Sequence, residues 1–361
     1  MNVNISLNGI VECPLCFSNI NENNYEETYY SELVAQTYKR YVCKNCSLEF
    51  WNPMYIEKKI YEEELQTEYI LFHFGLSGIS PMMTPFLQDP PIKSGKLLDI
   101  GCGDGAFLEQ AKKYGFDIWG IDLDNKSIKM ANIKRKIDNV YNMTLHDFLD
   151  FALKRNLKFQ IITFFEVLEH QDNLSCFIND IKSILVPNGI IVGSVPNNNR
   201  MLLKKDEGDY PPHHFTRWSK KTIERYLGDN SFEDITIKSC SLIPITNISD
   251  QLAEIILGNK FNEMIFWIRK KITGSVKLSH LSLSQIETIG AIKNIWKKKL
   301  ARILIFTNKI LKLTQRIIFL PLALLILIFQ YNQRYKSLYF HGKNMPKKLI
   351  QKKVVKYFLC Y

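Results

Sequence analysis

The chain has 361 residues, of which 46% are hydrophobic and 12% aromatic, so it can bury a large core and should fold as one main domain with appendages. Its 47 Lys and Arg exceed its 36 Asp and Glu, but 16 of the basic residues and none of the acidic ones lie in residues 291–361. The first 290 residues are therefore slightly acidic, which makes nucleic acid an unlikely partner.

Two C-x-x-C pairs stand near the start of the chain, with 26 residues between Cys16 and Cys43. The first residues lack the charged start and apolar run of a signal peptide, which predicts a cytoplasmic protein with reduced cysteines. This spacing therefore predicts a zinc ribbon in residues 1–55 rather than disulfides. The four predicted ligands are Cys13, Cys16, Cys43 and Cys46. Because they fill all four positions, we expect a structural zinc that takes no part in the chemistry.

The rest of the chain divides into four segments by composition. Residues 56–92 read as an acidic, solvated connector, and residues 93–241 alternate short apolar strands with amphipathic helices. This alternation predicts an α/β core with a parallel sheet covered on both faces. Residues 242–336 read as a helical, basic and hydrophobic insertion, and residues 337–361 as a last strand with a basic tail.

A glycine-rich turn follows the first strand of this core, in the sequence LLDIGCGDG. Its glycines would let a ligand approach the backbone closely, and they are Gly101, Gly103 and Gly105. The letters also fit a dinucleotide fingerprint, with Asp122 about 20 residues further on. A pyrophosphate disfavours nearby carboxylates, whereas S-adenosylmethionine is cationic, so Asp99 and Asp104 favour S-adenosylmethionine as the cofactor.

Acidic residues after the next two strands complete the predicted cofactor site. Asp122 is predicted to accept hydrogen bonds from both ribose hydroxyls of the cofactor. Asp147 is predicted to end the third strand and accept the adenine amino group, with Phe148 covering the ring face. The alternative for Asp147 is a cap on the helix that follows.

The fourth strand and the residues after it, FQIITFFEVLEH in 159–170, resemble the V-L-E-H segment of small-molecule methyltransferases. With the glycine-rich turn, they make the chain similar to class I S-adenosylmethionine-dependent methyltransferases, in particular those of the ubiquinone pathway and of sugars or glycoconjugates. The resemblance covers residues 93–240 and implies a Rossmann-like seven-stranded sheet. It also implies that the last strand, SLYFHGK in 337–343, runs antiparallel.

Methyl transfer to a hydroxyl requires a base, and histidine suits that role at neutral pH. His170 and His214 follow strands at the edge of the sheet where α/β proteins bind ligands, so they are predicted to act as the base or to contact the acceptor. Glu166 is predicted to hold an acceptor hydroxyl or to face the sulfonium. The alternatives are a helix cap for His170 and a packed loop end for His214, with Trp218 in the core.

The apolar run 317–329 corresponds to about 20 Å of helix, too short for the roughly 30 Å of a bilayer core. Its basic flanks predict an interfacial helix on an anionic membrane, which would make the protein peripheral on the inner face; the alternative is a buried helix. The sequence thus predicts O-methylation of a small-molecule, sugar or lipid-linked acceptor. The competing hypotheses are a ribosomal or transfer RNA methyltransferase and a non-catalytic S-adenosylmethionine-binding protein.

Overall fold

The structure, a computed structural model, describes residues 9–56, 71–200, 207–242, 252 and 335–345, and 310–324 except 311, 315 and 322. Most of the predicted insertion, and the tail beyond residue 345, lie outside the described residues.

The N-terminal residues form the predicted ribbon from two small antiparallel units. Its strands are β1 (Ile10–Glu12), β2 (Asn19–Asn21), β3 (Glu27–Ser31), β4 (Gln36–Val42) and β5 (Glu49–Asn52). The first two strands form a hairpin, whereas β3, β4 and β5 pair in sequence. A short strand from the second half of the chain, β11 (Thr216–Arg217), joins the edge of β5 and completes a four-stranded sheet.

The main domain has seven further strands. They are β6 (Gly95–Ile100), β7 (Phe116–Asp122), β8 (Val140–Asn142), β9 (Phe159–Phe165), β10 (Leu185–Pro196), β12 (Phe232–Leu242) and β13 (Tyr335–Asn344). Their order in the sheet is β12-β13-β10-β9-β6-β7-β8. The five strands from β10 to β8 are parallel, and β13 runs antiparallel to both of its neighbours. The predicted seven-stranded sheet with an antiparallel last strand is therefore confirmed.

Six α-helices between residues 84 and 229 accompany these strands. They are α1 (Thr84–Gln88), α2 (Ala106–Lys113), α3 (Asn125–Arg135), α4 (Leu145–Lys154), α5 (Leu174–Ile184) and α6 (Lys220–Asp229). Side-chain caps fix the starts of several of them. Asp124 accepts from the Lys126 N–H and so caps α3, which leaves Asp122 available for another role.

One apolar core runs through both the ribbon and the main domain. Trp51 of the ribbon and Phe215 of the main domain are both completely buried in it, together with Phe164 of β9. On the opposite face of the sheet, Phe86 of α1 packs edge-on against Phe107. Residues 84–88 fall within the predicted connector 56–92, and Phe86 fills part of this second core.

Among the described residues, no helix is both apolar and long enough to cross a membrane. The helical residues between 310 and 324 expose several large apolar side chains, including Leu313, Ile317 and Ile318, which are 58%, 61% and 64% exposed. Residues 325–329 of the predicted interfacial run lie outside the described part of the chain.

Candidate functional site

The glycine-rich turn joins β6 to α2 at the carboxyl edge of the parallel strands. Gly101, Gly103 and Gly105 have φ values of 74°, 54° and 78°, in the left-handed region that other residues rarely adopt. A Cβ on Gly101 would lie 2.7 Å from Val167 Cγ2, and one on Gly103 would lie 2.6 Å from Phe72 Cδ1. The turn therefore requires glycine both for its conformation and for the close approach of its neighbours.

Asp122 ends β7 beside this turn. Its Oδ2 accepts from the Gly103 N–H at 2.8 Å, and its Oδ1 accepts from the Asp124 N–H at 2.8 Å. The side chain remains partly exposed, and burial raises its pKa to about 6. Asp122 thus lies at the sheet edge where the sequence predicts a ribose, and it also helps to hold the glycine turn.

Asp99 lies one residue before the end of β6, under the turn. It is 2% exposed, and the Thr163 hydroxyl donates to its Oδ1 at 2.6 Å. Burial raises the pKa of Asp99 to about 8, despite this hydrogen bond, and the nearby Asp122 raises it further. At neutral pH, Asp99 therefore carries a proton for much of the time, unless a cation lies beside it.

Asp104 has a different role from the one predicted by its position in the turn. It is completely buried, accepts from the Ser77 N–H at 3.1 Å and forms an ion pair with Arg135, whose Nη2 lies 2.9 Å from Oδ2. Because Arg135 neutralises Asp104, this carboxylate offers no free charge to a cofactor. At this turn, Asp99 and Asp122 are then the carboxylates that favour a cationic cofactor over a dinucleotide.

The predicted positions of Asp147 and Phe148 are wrong. The third strand ends at Asn142, and Thr144 caps α4 by accepting from the Asp147 N–H, so Asp147 lies in the first helical turn. Phe148 is completely buried and packs against Tyr141, with ring centroids 6.2 Å apart, so its ring cannot cover a ligand. The residue at the strand end is Asn142, whose Nδ2 donates to the Asp122 carbonyl at 2.9 Å.

A segment preceding the main domain covers the glycine turn, and we call residues 71–77 the strap. Phe72 lies against Gly103, and His73 Nε2 lies 2.5 Å from Asp124 Oδ2. At its other end, Ser77 contacts Asp104 through both its backbone and its hydroxyl group. The strap was not predicted, because residues 71–77 show no clear helical or strand periodicity; the signals in the sequence are two phenylalanines on either side of His73.

Glu166 follows β9 and adopts a φ of 55°. Its N–H donates to the Ser194 carbonyl at 3.0 Å, and the Ser194 hydroxyl donates to its Oε1 at 2.9 Å. The strained backbone turns the chain into the 3₁₀ helix Leu168–His170 at the same edge as the glycine turn. Glu166 therefore lies at the same edge of the sheet as the glycine turn.

Two of the predicted catalytic residues come together with a third residue. The ring centroids of His170 and His214 are 4.7 Å apart, and His214 Nε2 lies 4.0 Å from Glu169 Oε1. His170 Nδ1 hydrogen-bonds to the His213 carbonyl at 2.7 Å, which orients its ring. Burial lowers the pKa of His170 well below its usual range, and His214 lowers it further.

Glu169, which was not among the predicted catalytic residues, is the most unusual residue of this group. It is 1% exposed, and no described group donates a hydrogen bond to either of its carboxylate oxygens. Burial raises its pKa well above the usual range. One donor atom each from Glu169, His170 and His214 lie within 4.8 Å of one another. Two imidazoles and a carboxylate are a donor set that suits a divalent metal ion.

Asp209 and Arg200 border this cluster and were not predicted. Asp209 Oδ1 lies 3.6 Å from His214 Nδ1 and pairs with Arg200 Nη2. Although burial alone would raise the pKa of Asp209, the hydrogen bond with His214 and the charge of Arg200 lower it well below its usual range. Trp218, in contrast, is completely buried and packs on Tyr226, so the predicted alternative for the loop end holds for this side chain.

The four ribbon cysteines form the geometry that a tetrahedral metal needs. Their sulfur atoms lie within 4.8 Å of one another, and the Cys13–Cys46 and Cys16–Cys43 pairs are each 3.5 Å apart, close to the ~3.8 Å expected around zinc with bonds of about 2.3 Å. In each C-x-x-C turn, the residue four positions after the first cysteine donates its N–H to the carbonyl of that cysteine. The Phe17 N–H donates to Cys13 at 2.9 Å, and the Ser47 N–H donates to Cys43 at 2.7 Å. The site fits structural zinc, as predicted.

Residues 80–237 match the family described as a methyltransferase domain. The seven-stranded sheet with its antiparallel last strand is the one that the resemblance to class I methyltransferases implies. The resemblance to ubiquinone-pathway O-methyltransferases is also confirmed. The chain is 35% identical to ubiquinone biosynthesis O-methyltransferase of Pelagibacter ubique over 107 residues, which cover 29% of this chain and 43% of that enzyme.

A longer and weaker match joins the chain to ubiquinone biosynthesis O-methyltransferase of an Azoarcus species, with 24% identity over 55% of this chain and 84% of that enzyme. Among solved structures, phosphoethanolamine N-methyltransferase 2 of Haemonchus contortus aligns with 83% of this chain and 63% of its own, with 16% identity and a TM-score of 0.46. The stretch matching the Pelagibacter ubique enzyme spans less than half of that relative.

Proposed function

We propose that the chain is an S-adenosylmethionine-dependent methyltransferase that methylates a hydroxyl of a small-molecule acceptor. The observation that carries this proposal is the methyltransferase sheet edge, where the glycine turn and Asp122 lie beside a cluster of two histidines and Glu169. The matched relatives are named as ubiquinone biosynthesis O-methyltransferases, which supports oxygen as the methylated atom. An RNA acceptor is not favoured, because the first 290 residues are slightly acidic.

S-adenosylmethionine supplies an electrophilic methyl group on a sulfonium. In this proposal, the glycine turn admits the cofactor close to the backbone, Asp122 accepts the ribose hydroxyls, and Asp99 faces the positive charge. The protein then holds acceptor and methyl collinear, which can contribute up to ~7–11 kcal/mol to the rate. His170 or His214 removes the hydroxyl proton, since both lie at the same edge as Glu166.

The cluster also accounts for a buried carboxylate that would otherwise be costly. An unpaired carboxylate is stable in a protein interior only when it is protonated or lies beside a cation. We propose that Glu169, His170 and His214 hold a divalent ion, and that Asp209 orients His214 from the other side. With an ion bound, the two histidines would be its ligands and would no longer be available as the base; the positive charge of the ion would instead lower the pKa of an acceptor hydroxyl.

The cofactor site is tested by Asp122→Ala, which removes a charged acceptor worth ~1.5–3 kcal/mol per hydrogen bond. We expect S-adenosylmethionine to bind at least about tenfold more weakly in a calorimetric titration. Asp117→Ala is the matched control, because Asp117 is exposed on the same strand. Equal affinities for Asp122→Ala and the parental protein would exclude Asp122 from the site.

The acceptor side is tested by His214→Ala and His170→Ala, with a catechol and a nucleotide-linked sugar as probe acceptors. A lost base or metal ligand should lower the formation of S-adenosylhomocysteine by ~10²–10⁴-fold, while cofactor affinity stays unchanged. His146→Ala, on α4 and exposed, serves as the control. If both variants turn over at the parental rate, the base lies elsewhere.

We further propose that the basic C-terminal region brings the protein to an anionic membrane, where a lipid-linked acceptor would be available. The support is the exposed apolar side chains between 310 and 324 and the 16 basic residues in 291–361. Replacing Ile317, Ile318 and Leu324 with Ser should reduce flotation with phosphatidylglycerol vesicles but keep S-adenosylmethionine binding. A parental protein that does not float would refute this attachment.

A further inference from the structure

Phe215 joins the ribbon to the acceptor-side cluster, which consists of Glu169, His170 and His214, through its backbone. Phe215 directly follows His214; its N–H donates to the Glu169 carbonyl at 2.9 Å, and its own carbonyl accepts from the Trp51 N–H at 2.8 Å. The Phe215 side chain is completely buried. The backbone beside His214 is therefore held between Glu169 of the cluster and strand β5 of the ribbon.

The strand that follows Phe215 belongs to the ribbon sheet rather than to the seven-stranded sheet. In β11, Thr216 pairs with Phe50 and Arg217 pairs with Glu49, both antiparallel. The segment that leaves the cluster is thus aligned by the register of the ribbon strands. Any displacement of β5 would move the backbone that carries His214.

Glu49 connects the ribbon to the main domain through its side chain. Its Oε1 accepts from Asn198 Nδ2 at 2.6 Å, and its Oε2 accepts from Arg40 Nη1 at 2.9 Å. Arg217 Nη1 lies 3.8 Å from the same carboxylate, and its guanidinium lies over the Trp51 ring at 5.5 Å. Because Glu49 is mostly buried, these charged hydrogen bonds are poorly screened by solvent.

Tyr210, which precedes His213 and His214 in the chain, forms a further connection between the ribbon and these histidines. Its ring packs on Tyr29 of β3, with centroids 4.6 Å apart, and its hydroxyl donates to Glu27 Oε1 at 3.2 Å. Its carbonyl accepts from the N–H groups of His213 and His214, at 3.1 and 3.2 Å. The ribbon thus positions Tyr210, whose carbonyl orients the backbone of His213 and His214.

We propose that the zinc ribbon forms part of the acceptor-side site. Glu49 and Tyr210 act as positioning residues that hold His214 in its place beside Glu169. The inference rests on the proposed function insofar as this cluster acts on the acceptor. It replaces the expectation that zinc takes no part in the chemistry. The four thiolates stabilise the ribbon through the metal, and the ribbon in turn holds the segment that carries His213 and His214. The glycine turn and Asp122, in contrast, receive none of these contacts.

The test compares Tyr210→Ala and Glu49→Ala with the conservative variants Tyr210→Phe and Glu49→Gln, all with zinc bound. Glu32→Ala, an exposed acid in the same ribbon, is the control. The readouts are hydrogen exchange, followed by mass spectrometry, and affinity for Mn²⁺, followed by electron paramagnetic resonance. Both alanine variants should speed exchange in residues 209–218 and weaken Mn²⁺ binding, each by about tenfold.

The same variants should leave S-adenosylmethionine affinity and exchange in residues 97–105 unchanged, and Tyr210→Phe and Glu49→Gln should recover part of the loss. Zinc removal should reproduce the alanine result. Unchanged exchange and Mn²⁺ affinity in both alanine variants would overturn the inference, as would an equal loss of cofactor affinity. A parental protein that binds no Mn²⁺ would refute the divalent-ion centre of the proposed function, and hydrogen exchange would then decide the inference alone.

Discussion

At the scale of single residues, two acids at the cofactor edge differ from their usual behaviour. Burial raises the pKa of Asp99 to about 8 and that of Asp122 to about 6. Both values exceed the ordinary 3.8 chiefly because burial disfavours a negative charge; the charge of Asp122 raises the pKa of Asp99 further, and that of Asp124 raises the pKa of Asp122 further. The site is therefore poised to lose a proton when a cation binds beside Asp99.

We predict that the affinity for S-adenosylmethionine rises between pH 6 and pH 8. At pH values below the Asp99 pKa of about 8, the cation must displace the proton of Asp99. Each pH unit of decrease therefore weakens binding by up to about tenfold. Calorimetry across this range provides the measurement. Asp99→Asn should bind more weakly and lose most of the pH dependence; a flat profile in the parental protein would mean that Asp99 does not face the cation.

The ligand-free protein should show the opposite trend in stability. Because the folded pKa of Asp99 is raised, its protonated form contributes to folding at low pH, and this contribution is lost as pH rises toward 8. Denaturant unfolding at pH 6 and pH 8 measures this change in the free energy of unfolding. Comparing the parental protein with Asp99→Asn separates the contribution of Asp99 from those of other titratable groups.

At the scale of elements, the strap and α3 enclose the glycine turn from outside the sheet. Arg135, in the last turn of α3, donates to Asp104 Oδ2 and to the Ser77 carbonyl at 2.9 and 2.8 Å. One guanidinium therefore fastens the turn to the strap. The energetic importance of this pair comes from the complete burial of Asp104.

We predict that Arg135→Ala destabilises the protein by about 2–4 kcal/mol, because it leaves a buried carboxylate with only the Ser77 contacts. Chemical denaturation measures this loss. Lys129→Ala on the same helix is exposed and should stay within about 0.5 kcal/mol of the parental protein. A similar small effect for Arg135→Ala would show that Ser77 alone satisfies Asp104.

Periodicity predicted the strands and helices of the main domain, because short apolar strands and capped helices are local features of the sequence. It failed at the third strand, where the Thr144 cap starts α4 before Asp147. Residues 140–148 carry both strand-forming and helix-capping signals, and only packing decides between them. The glycine turn and the cysteine spacing were predictable for the same local reason.

Long-range contacts were not predictable from the sequence. Nothing local shows that Phe215 bonds to both Trp51 and Glu169, or that Asp104 meets Arg135. His170 and His214 were predicted from their position after strands, but Glu169 was not among the predicted site residues, because its lack of hydrogen-bond donors arises only in the fold. Burial and partnership of polar groups are tertiary properties, so they require the structure.

At the scale of the whole molecule, the ribbon and the methyltransferase domain share one core. We predict one zinc per chain by elemental analysis, lost in Cys46→Ser. Because structural zinc supplies folding free energy, the variant should unfold locally in the ribbon and also destabilise the main domain. Unfolding followed by Trp fluorescence should show this; a main domain with parental stability would mean that the shared core contributes little.

Strand β13 imposes an order on folding during synthesis. It lies between β10 and β12, so the central sheet cannot close until residues 335–344 have left the ribosome. Until then, the β10 edge exposes unpaired backbone along an apolar stretch that includes Ile191 and Val195, and such an edge favours aggregation. A chain stalled after residue 242 should therefore need a chaperone, and the nascent protein should gain its resistance to proteolysis only after residue 344 has emerged.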